Sequence, residues 1–261
     1  MLGLAIVMIY VAVALLADVI APYDPDAGVL RDRLSMPSAQ HLLGTDEIGR
    51  DILSRIIAGA RVSLVIQLAA SALAMVIGVA WGLVSGYLGG WFDEVSMRII
   101  DVMLAFPGVL LAIAIVAVLG VGLGNMILAV AISSIPAFAR LVRGVVLGTR
   151  ELEYIEAARA IGEPGSAIVR RYLLPAASGA IIIQTSLRMA TVLLAAASLN
   201  FLGLGVQPPT AEWGSMLSNA RSYMFLAPHV AAIPGIAITV VVLGFNLLGD
   251  GLRDVLDPRL R

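Results

Sequence analysis

Apolar residues run along this chain in stretches far longer than a soluble core helix needs, with short polar segments between them. The hydrocarbon core of a bilayer takes about 20 apolar residues per helix. Six stretches meet that demand, at residues 2–20, 62–84, 99–119, 126–146, 176–199 and 230–248. The pattern predicts an all-α, polytopic membrane protein with six transmembrane helices. The first stretch lacks a basic leader and is longer than the roughly 7–15 apolar residues of a signal peptide, so it reads as a retained span. The chain starts directly on it, and a short preceding tail is expected. The expected division is a first transmembrane helix at 1–20, a loop with an amphipathic segment at 21–61, and a core at 62–261. That core holds five transmembrane helices, a polar loop at 149–175 and a polar tail at 250–261.

Small residues recur inside the spans, as at Gly78, Gly82 and Gly86. Four-residue spacing puts them on one helix face, where they let a neighbouring backbone approach, so packing is the expected role. Pro107 and Pro136 interrupt backbone bonding within apolar runs and are candidate pivots or pore-lining kinks.

Composition then narrows the chemistry. The 261 residues are 60% hydrophobic and 13% charged, with mean hydropathy +0.97, against about 25% charged residues in soluble domains. All 17 cationic residues are Arg. Without Lys no GxxxxGK[ST] phosphate loop can form, so the chain is not itself a P-loop ATPase. It has no Cys and its two His stand at 41 and 229, so neither thiol chemistry nor a metal site is expected. An intramembrane hydrolase needs a Ser with a His, or two carboxylates, facing each other within the bilayer. Asp101 is the one acid well inside a predicted span. A secondary transporter should show internal repeats and buried coupling-ion carboxylates, and neither pattern stands out.

Six spans put both termini on one side. Arg98, Arg143, Arg150, Arg159, Arg170, Arg171, Arg253, Arg259 and Arg261 fall on that face, against Arg31, Arg33, Arg50, Arg55, Arg61 and Arg221 on the other. Nine against six leans towards cytoplasmic termini and a cytoplasmic polar loop.

Residues 153–175 form a polar island between two apolar runs. Residues 151–161 are good helix formers, with Glu151, Glu153 and Glu156 favouring the N-terminal half. Gly162 suits a left-handed C-cap, and Pro164 forbids continuation. Ala157, Ala158 and Ile161 are expected to form a shallow apolar face that fits a partner's groove, with Glu156 and Arg159 setting register at its rim. The competing reading is a helix resting on lipid headgroups, but its apolar face lacks the large side chains such helices bury.

With Glu156-Ala157-Ala158, then Gly162, and Leu174-Pro175 at its close, the island resembles the "EAA" loop of ABC-importer permeases. The likeness extends along the chain. It includes His41-Leu42-Leu43-Gly44-Thr45-Asp46 with Gly49-Arg50-Asp51, Gly59-Ala60-Arg61-Val62-Ser63-Leu64 and Gly86-Tyr87-Leu88-Gly89-Gly90-Trp91. It continues through Ala105-Phe106-Pro107, Phe201-Leu202-Gly203-Leu204-Gly205-Val206-Gln207-Pro208-Pro209, and Asn246-Leu247-Leu248-Gly249-Asp250-Gly251. Together these identify a chain similar to the C-type permease of the dipeptide, oligopeptide and nickel class of bacterial ABC importers. Tyr172, Ala176, Ala196 and Asn200 depart from the usual pattern.

The resemblance implies a type I importer fold with a cytoplasmic coupling helix, in which Glu156, Ala157, Ala158, Arg159, Gly162 and Pro175 couple to an ATPase. It implies a heterodimer with a homologous B-type permease, two cytoplasmic ATPase subunits, and an extracytoplasmic solute-binding protein. ATP and Mg2+ would be used by the ATPases, with no cofactor on this chain and no nucleic acid. The setting is the inner membrane, in contact with lipid. Peptides are the first solutes implied, with nickel chelates, glutathione or another small solute as alternatives in the same architecture.

For the solute path, Arg188 lies about 20 Å along the fifth span from Pro175, near mid-membrane. Two readings compete. In one it lines the pore and favours anionic or carboxylate-bearing solutes. In the other it bonds carbonyls or Gln184, Asn125 or Asn246. Gln184, Asn125 and Asn200 are the further candidates for the path. Gln207, Pro208, Pro209 and Trp213 are candidates for an outer gate or docking surface. Arg50, Arg55 and Arg61 are expected either as a solvated amphipathic face or as a docking site. Asp101 with Arg98, and Arg140 with Arg143, read as headgroup anchors or interhelical pairs.

Overall fold

In a computed structural model of the chain, residues 1–256 are described; Arg259, Arg261 and the rest of the expected tail at 257–261 lie outside the described residues. The elements that matter here are α1 (Leu2–Leu15), α2 (Ile52–Leu88), α3 (Gly90–Leu104), α4 (Gly108–Leu119) and α5 (Leu123–Thr149), followed by α6 (Glu153–Ala160), α7 (Gly165–Phe201), α8 (Trp213–Ala220) and α9 (Pro228–Leu256). Four of them, α2, α5, α7 and α9, are long and apolar enough to cross a membrane.

Local chemistry sets the helix ends. The Asp51 carboxylate accepts hydrogen bonds from the Ser54 N–H and hydroxyl, both at 2.8 Å, and so caps α2. The helix therefore begins ten residues earlier than the apolar run, and the last ten residues of the expected loop at 21–61 are continuous with α2. Between Leu104 and Gly108 the chain turns by 92°. The expected continuous span at 99–119 is thus a bent pair, because Pro107 has no N–H to offer and pushes Phe106 out of the helical region. Pro136, by contrast, lies buried within α5 without ending it.

Two more expected spans differ in detail. The first is interrupted at Leu16 and resumes as a helical turn at Ala17–Ile20; beside the interruption Arg61 on α2 takes the Ala14 carbonyl at 3.0 Å and the Leu15 carbonyl at 3.3 Å, and pairs with Asp18 at 2.8 Å. The fifth span does not start after Pro175. It runs unbroken from Gly165, with a π-helical turn at Val169–Leu173 just before the proline. A wider turn accommodates a residue that cannot donate to the ordinary ladder.

Packing gives the helices alternating directions. Gly78, Gly82 and Gly86 of α2 lie against α5, and a Cβ on Gly82 would sit 2.5 Å from the Ala139 carbonyl oxygen. That is the close approach expected of the small-residue row. The Tyr10 hydroxyl on α1 donates to Gln67 on α2 at 2.7 Å, and Gly3 abuts Leu247 and Leu248 of α9. Ser186 on α7 bonds the Phe245 carbonyl at 3.2 Å. The bundle therefore has two ends. One carries residues 21–51, α8 and the start of α9; the other carries α6, the end of α2 and the start of α7.

Candidate functional site

The polar island folds as a helix docked on one end of the bundle. α6 spans Glu153–Ala160, slightly shorter than the expected 151–161. Gly162 has φ +81, its N–H donates to the Arg159 carbonyl at 3.0 Å, and the Glu163 N–H donates to the Ala158 carbonyl at 3.0 Å. These two bonds make a Schellman cap, the reason a glycine is needed there.

The register of α6 differs from expectation in one respect. Ala158 does not belong to the outward face; it is buried with Ile155 against Leu83, Val142, Val146, Ile168 and Leu173. The outward side consists of Glu156, Ala157, Arg159 and Ile161, and Ile161 is 82% exposed. Spacing of i and i+3 places Ile155 and Ala158 on one side as the anchor. Further ties hold the segment to the bundle. Arg150 donates to the Gly86 carbonyl at 2.8 Å, the Arg159 guanidinium lies over the Tyr87 ring at 5.9 Å, and Arg171 pairs with Glu163 at 2.6 Å. Pro175 is exposed on α7, behind the π turn. These contacts tie the helix to α2, α5 and α7.

The solute-path candidates do not converge. Asn125 donates to the Leu119 and Gly120 carbonyls at 2.8 and 3.1 Å and so caps the end of α4. Asn200 is buried and accepts from the Val206 N–H at 2.6 Å, which folds the turn after α7. Gln184 and Arg188 share one face of α7 and are half-buried. The expected bonds from Arg188 to Gln184, Asn125 or Asn246 are not formed.

At the opposite end, Gln207, Pro208 and Pro209 are exposed, but Trp213 is not interfacial. It is buried, donates to the Ile56 carbonyl at 3.0 Å and contacts Tyr10 with ring centroids 5.6 Å apart. Arg50 and Arg55 likewise form no solvated face. Both are buried, with Arg50 on Asp46 at 2.6 Å and on Glu47 at 3.1 Å, and Arg55 on Asp46 and Asp26 at 3.5 Å. Desolvating these cations requires the carboxylates, which residues 24–51 supply. The Arg140–Asp101 pair at 2.5 Å realises one expected interhelical contact.

Sequence reasoning missed Glu212. It is fully buried, its carboxylate accepts from the Ser215 N–H at 2.9 Å as the N-cap of α8, and the Ser63 hydroxyl lies at 3.5 Å. Burial pushes its carboxyl up to about 7, against the opposing effect of the hydrogen bonds from Ser215, Gly214 and Ser63. The only signal in the sequence was an acid directly before a short helical run.

Comparison with known proteins agrees with this architecture. Residues 78–261 match the family described as binding-protein-dependent transport system inner membrane component, and residues 1–38 match the N-terminal TM domain of oligopeptide transport permease C. The glutathione transport system permease protein GsiD of Pectobacterium atrosepticum is 51% identical over 98% of this chain and 85% of its own length. Its counterpart in Escherichia coli O1:K1 / APEC is also 51% identical, over 98% and 84%. Among solved structures, an inward-facing MetNI methionine ABC transporter superimposes with TM-score 0.64 at 18% identity, covering 79% of this chain and 98% of that one. An amino acid ABC transporter gives TM-score 0.55 at 20% identity over 78% and 94%.

Proposed function

The chain belongs to the family of binding-protein-dependent transport system inner membrane components, and on that premise we propose that it forms one half of a solute pore driven through α6. It is the permease subunit of an ABC importer, a multi-pass protein of the inner membrane. In this reading α1 and the bent pair α3–α4 also cross the bilayer, giving six crossings with both termini and α6 on the cytoplasmic side. A homologous B-type permease completes the pore. Two cytoplasmic ATPase subunits hydrolyse ATP with Mg2+, and an extracytoplasmic binding protein delivers solute to the end bearing Gln207, Pro208 and Pro209.

The observation that supports this most directly is the geometry of α6. Its inner face, Ile155 and Ala158, is anchored on three bundle helices, while Glu156, Ala157, Arg159 and Ile161 face outward. ATP can drive transport only by favouring one conformation over another. A rigidly docked helix with a free outer face is what passes such a preference to the bundle.

Small peptides are the solutes this reading favours. The 51%-identical relatives are named for glutathione transport, and glutathione is itself a tripeptide with two carboxylates. The test is ATPase activity of the complex in lipid, with loaded binding protein, comparing the unsubstituted chain with Glu156→Ala and Gly162→Pro. Loss of stimulated hydrolysis with assembly intact is the expected result. Normal coupled uptake by both variants, or uptake with no ATPase present, would sink the proposal.

A further inference from the structure

One arginine in the middle of α7 has no side-chain partner among the described residues. Arg188 lies about 20 Å from Phe201 at 1.5 Å per residue, too far for its head to reach the helix end. Among the described residues, the one hydrogen bond at Arg188 beyond the helix ladder is accepted by its own carbonyl, from the Thr191 hydroxyl at 3.0 Å. Asp93 is engaged by Arg143 and Asp101 by Arg140, while the buried Glu212 carboxylate lies against Ser63 and Ser215. A charge at such depth belongs to a water-filled cavity or an opposite charge.

Arg188 is also not alone on its face. Gln184, Arg188, Thr191 and Ser198 recur at spacings of four, three and seven residues. At 3.6 residues per turn they fall within an arc of about 80° and extend over roughly 21 Å of helix. All four are exposed or half-buried, whereas Ser186, on the other side of the same helix, is buried against α9. The Thr191 and Ser198 hydroxyls donate to their own helix, at 3.0 and 2.7 Å, which leaves their oxygens free to accept. The open side of this spanning helix thus carries one cation, one amide and two hydroxyl acceptors in a line.

We propose that this strip faces the solute path and selects carboxylate-bearing solutes, with Arg188 as the group that pairs with the carboxylate. The proposal rests on the importer-pore reading above. A guanidinium matches a carboxylate with two parallel N–H donors, and the acceptor oxygens of Thr191 and Ser198 suit the N–H groups of a peptide.

The test uses the assembled complex in lipid and the absence of native cysteine in this chain. Thr191→Cys is labelled with an anionic (2-sulfonatoethyl) and a cationic (trimethylammonioethyl) methanethiosulfonate, and incorporation into this chain is read by mass spectrometry. Any effect of Arg188 on the thiol itself cancels in the ratio of the two rates. Adding Arg188→Gln should lower the anionic-to-cationic ratio by about tenfold, the effect of one nearby unit charge at intermediate dielectric. Adding Arg188→Lys should keep it within about threefold, because the charge remains. No labelling in either nucleotide state overturns the proposal, as does a ratio that Arg188→Gln leaves unchanged, the outcome expected if an acidic side chain of a second permease subunit neutralises the arginine. Binding-protein-stimulated hydrolysis by the unsubstituted complex is measured alongside. Its absence would bring down the importer reading itself, whereas an unchanged ratio with stimulation intact removes only the role of Arg188.

Discussion

Arg143 on α5 holds Asp93 on α3 with two parallel bonds, Nε to Oδ1 at 2.6 Å and Nη2 to Oδ2 at 2.5 Å, while the Ser85 hydroxyl on α2 donates to Oδ1 at 2.5 Å. Three helices therefore meet on one carboxylate, in the first turn of α3. Removing one partner leaves the other charge uncompensated. Arg143→Met should cost about 3 kcal/mol, and Arg143→Met with Asp93→Leu should cost less than the single change. Thermal unfolding of the purified protein in detergent reads both. Additive losses would show that the pair does not act as a unit.

Backbone proximity makes a sharper prediction at the glycines. A Cβ on Gly82 would meet the Ala139 carbonyl at 2.5 Å and the Val142 Cβ at 2.9 Å, whereas one on Gly144 meets nothing within 4 Å. Gly82→Ala should destabilise by about 1–3 kcal/mol through forced separation of α2 and α5. Gly144→Ala should be neutral or stabilise by up to about 1 kcal/mol through helix propensity. Equal melting shifts for the two variants would contradict the packing described here.

The two alanines of the island should behave differently. Ala158 is buried against Leu173 and Val146, and Ala157 faces outward. Ala158→Leu should overpack the anchor and lower the melting temperature, at about 1–3 kcal/mol. Ala157→Leu should leave the isolated protein's stability within about 0.5 kcal/mol, as surface changes do, yet reduce ATPase stimulation in the assembled complex. A thermal scan on the subunit and an ATPase assay on the complex separate these effects.

Much of this was legible in the chain because the signals were local. Long apolar runs gave α2, α5, α7 and α9, and Gly162 with Pro164 gave the end of α6. What escaped notice depended on distant partners. Arg50 and Arg55 look solvated until Asp46 and Asp26 fold over them. The bend in residues 99–119 falls at Pro107, a kink the sequence does mark, but its size of 92° leaves no trace in hydropathy. Pro175 looks like a helix start until the π turn before it shows how the helix continues through it. Ala158 turned inward because docking, rather than composition, chooses which side of α6 is buried. Trp213 reads as a gate or docking candidate from its place in the loop, yet the Ile56 carbonyl and the Tyr10 ring hold it in the core.

Glu212 ties stability to pH. Its carboxyl titrates at about 7 in the folded protein against an ordinary 4.5. A raised carboxyl means that the folded state holds its proton more tightly than the unfolded state. Its contribution is therefore fully present below about pH 4.5 and is lost as pH rises through about 7. The difference is on the order of 3 kcal/mol at most, since each pKa unit corresponds to about 1.4 kcal/mol. Glu212→Gln keeps an oxygen to accept from the Ser215 N–H while removing the charge. Melting temperatures of the unsubstituted protein should fall between pH 5 and pH 8 relative to the variant, and the two curves should run parallel above about pH 8. Identical pH profiles would mean that Glu212 is solvated in the folded protein. A profile flat from pH 5 to pH 8 that rises only below about pH 5 would mean that its ionised form is the one the fold stabilises.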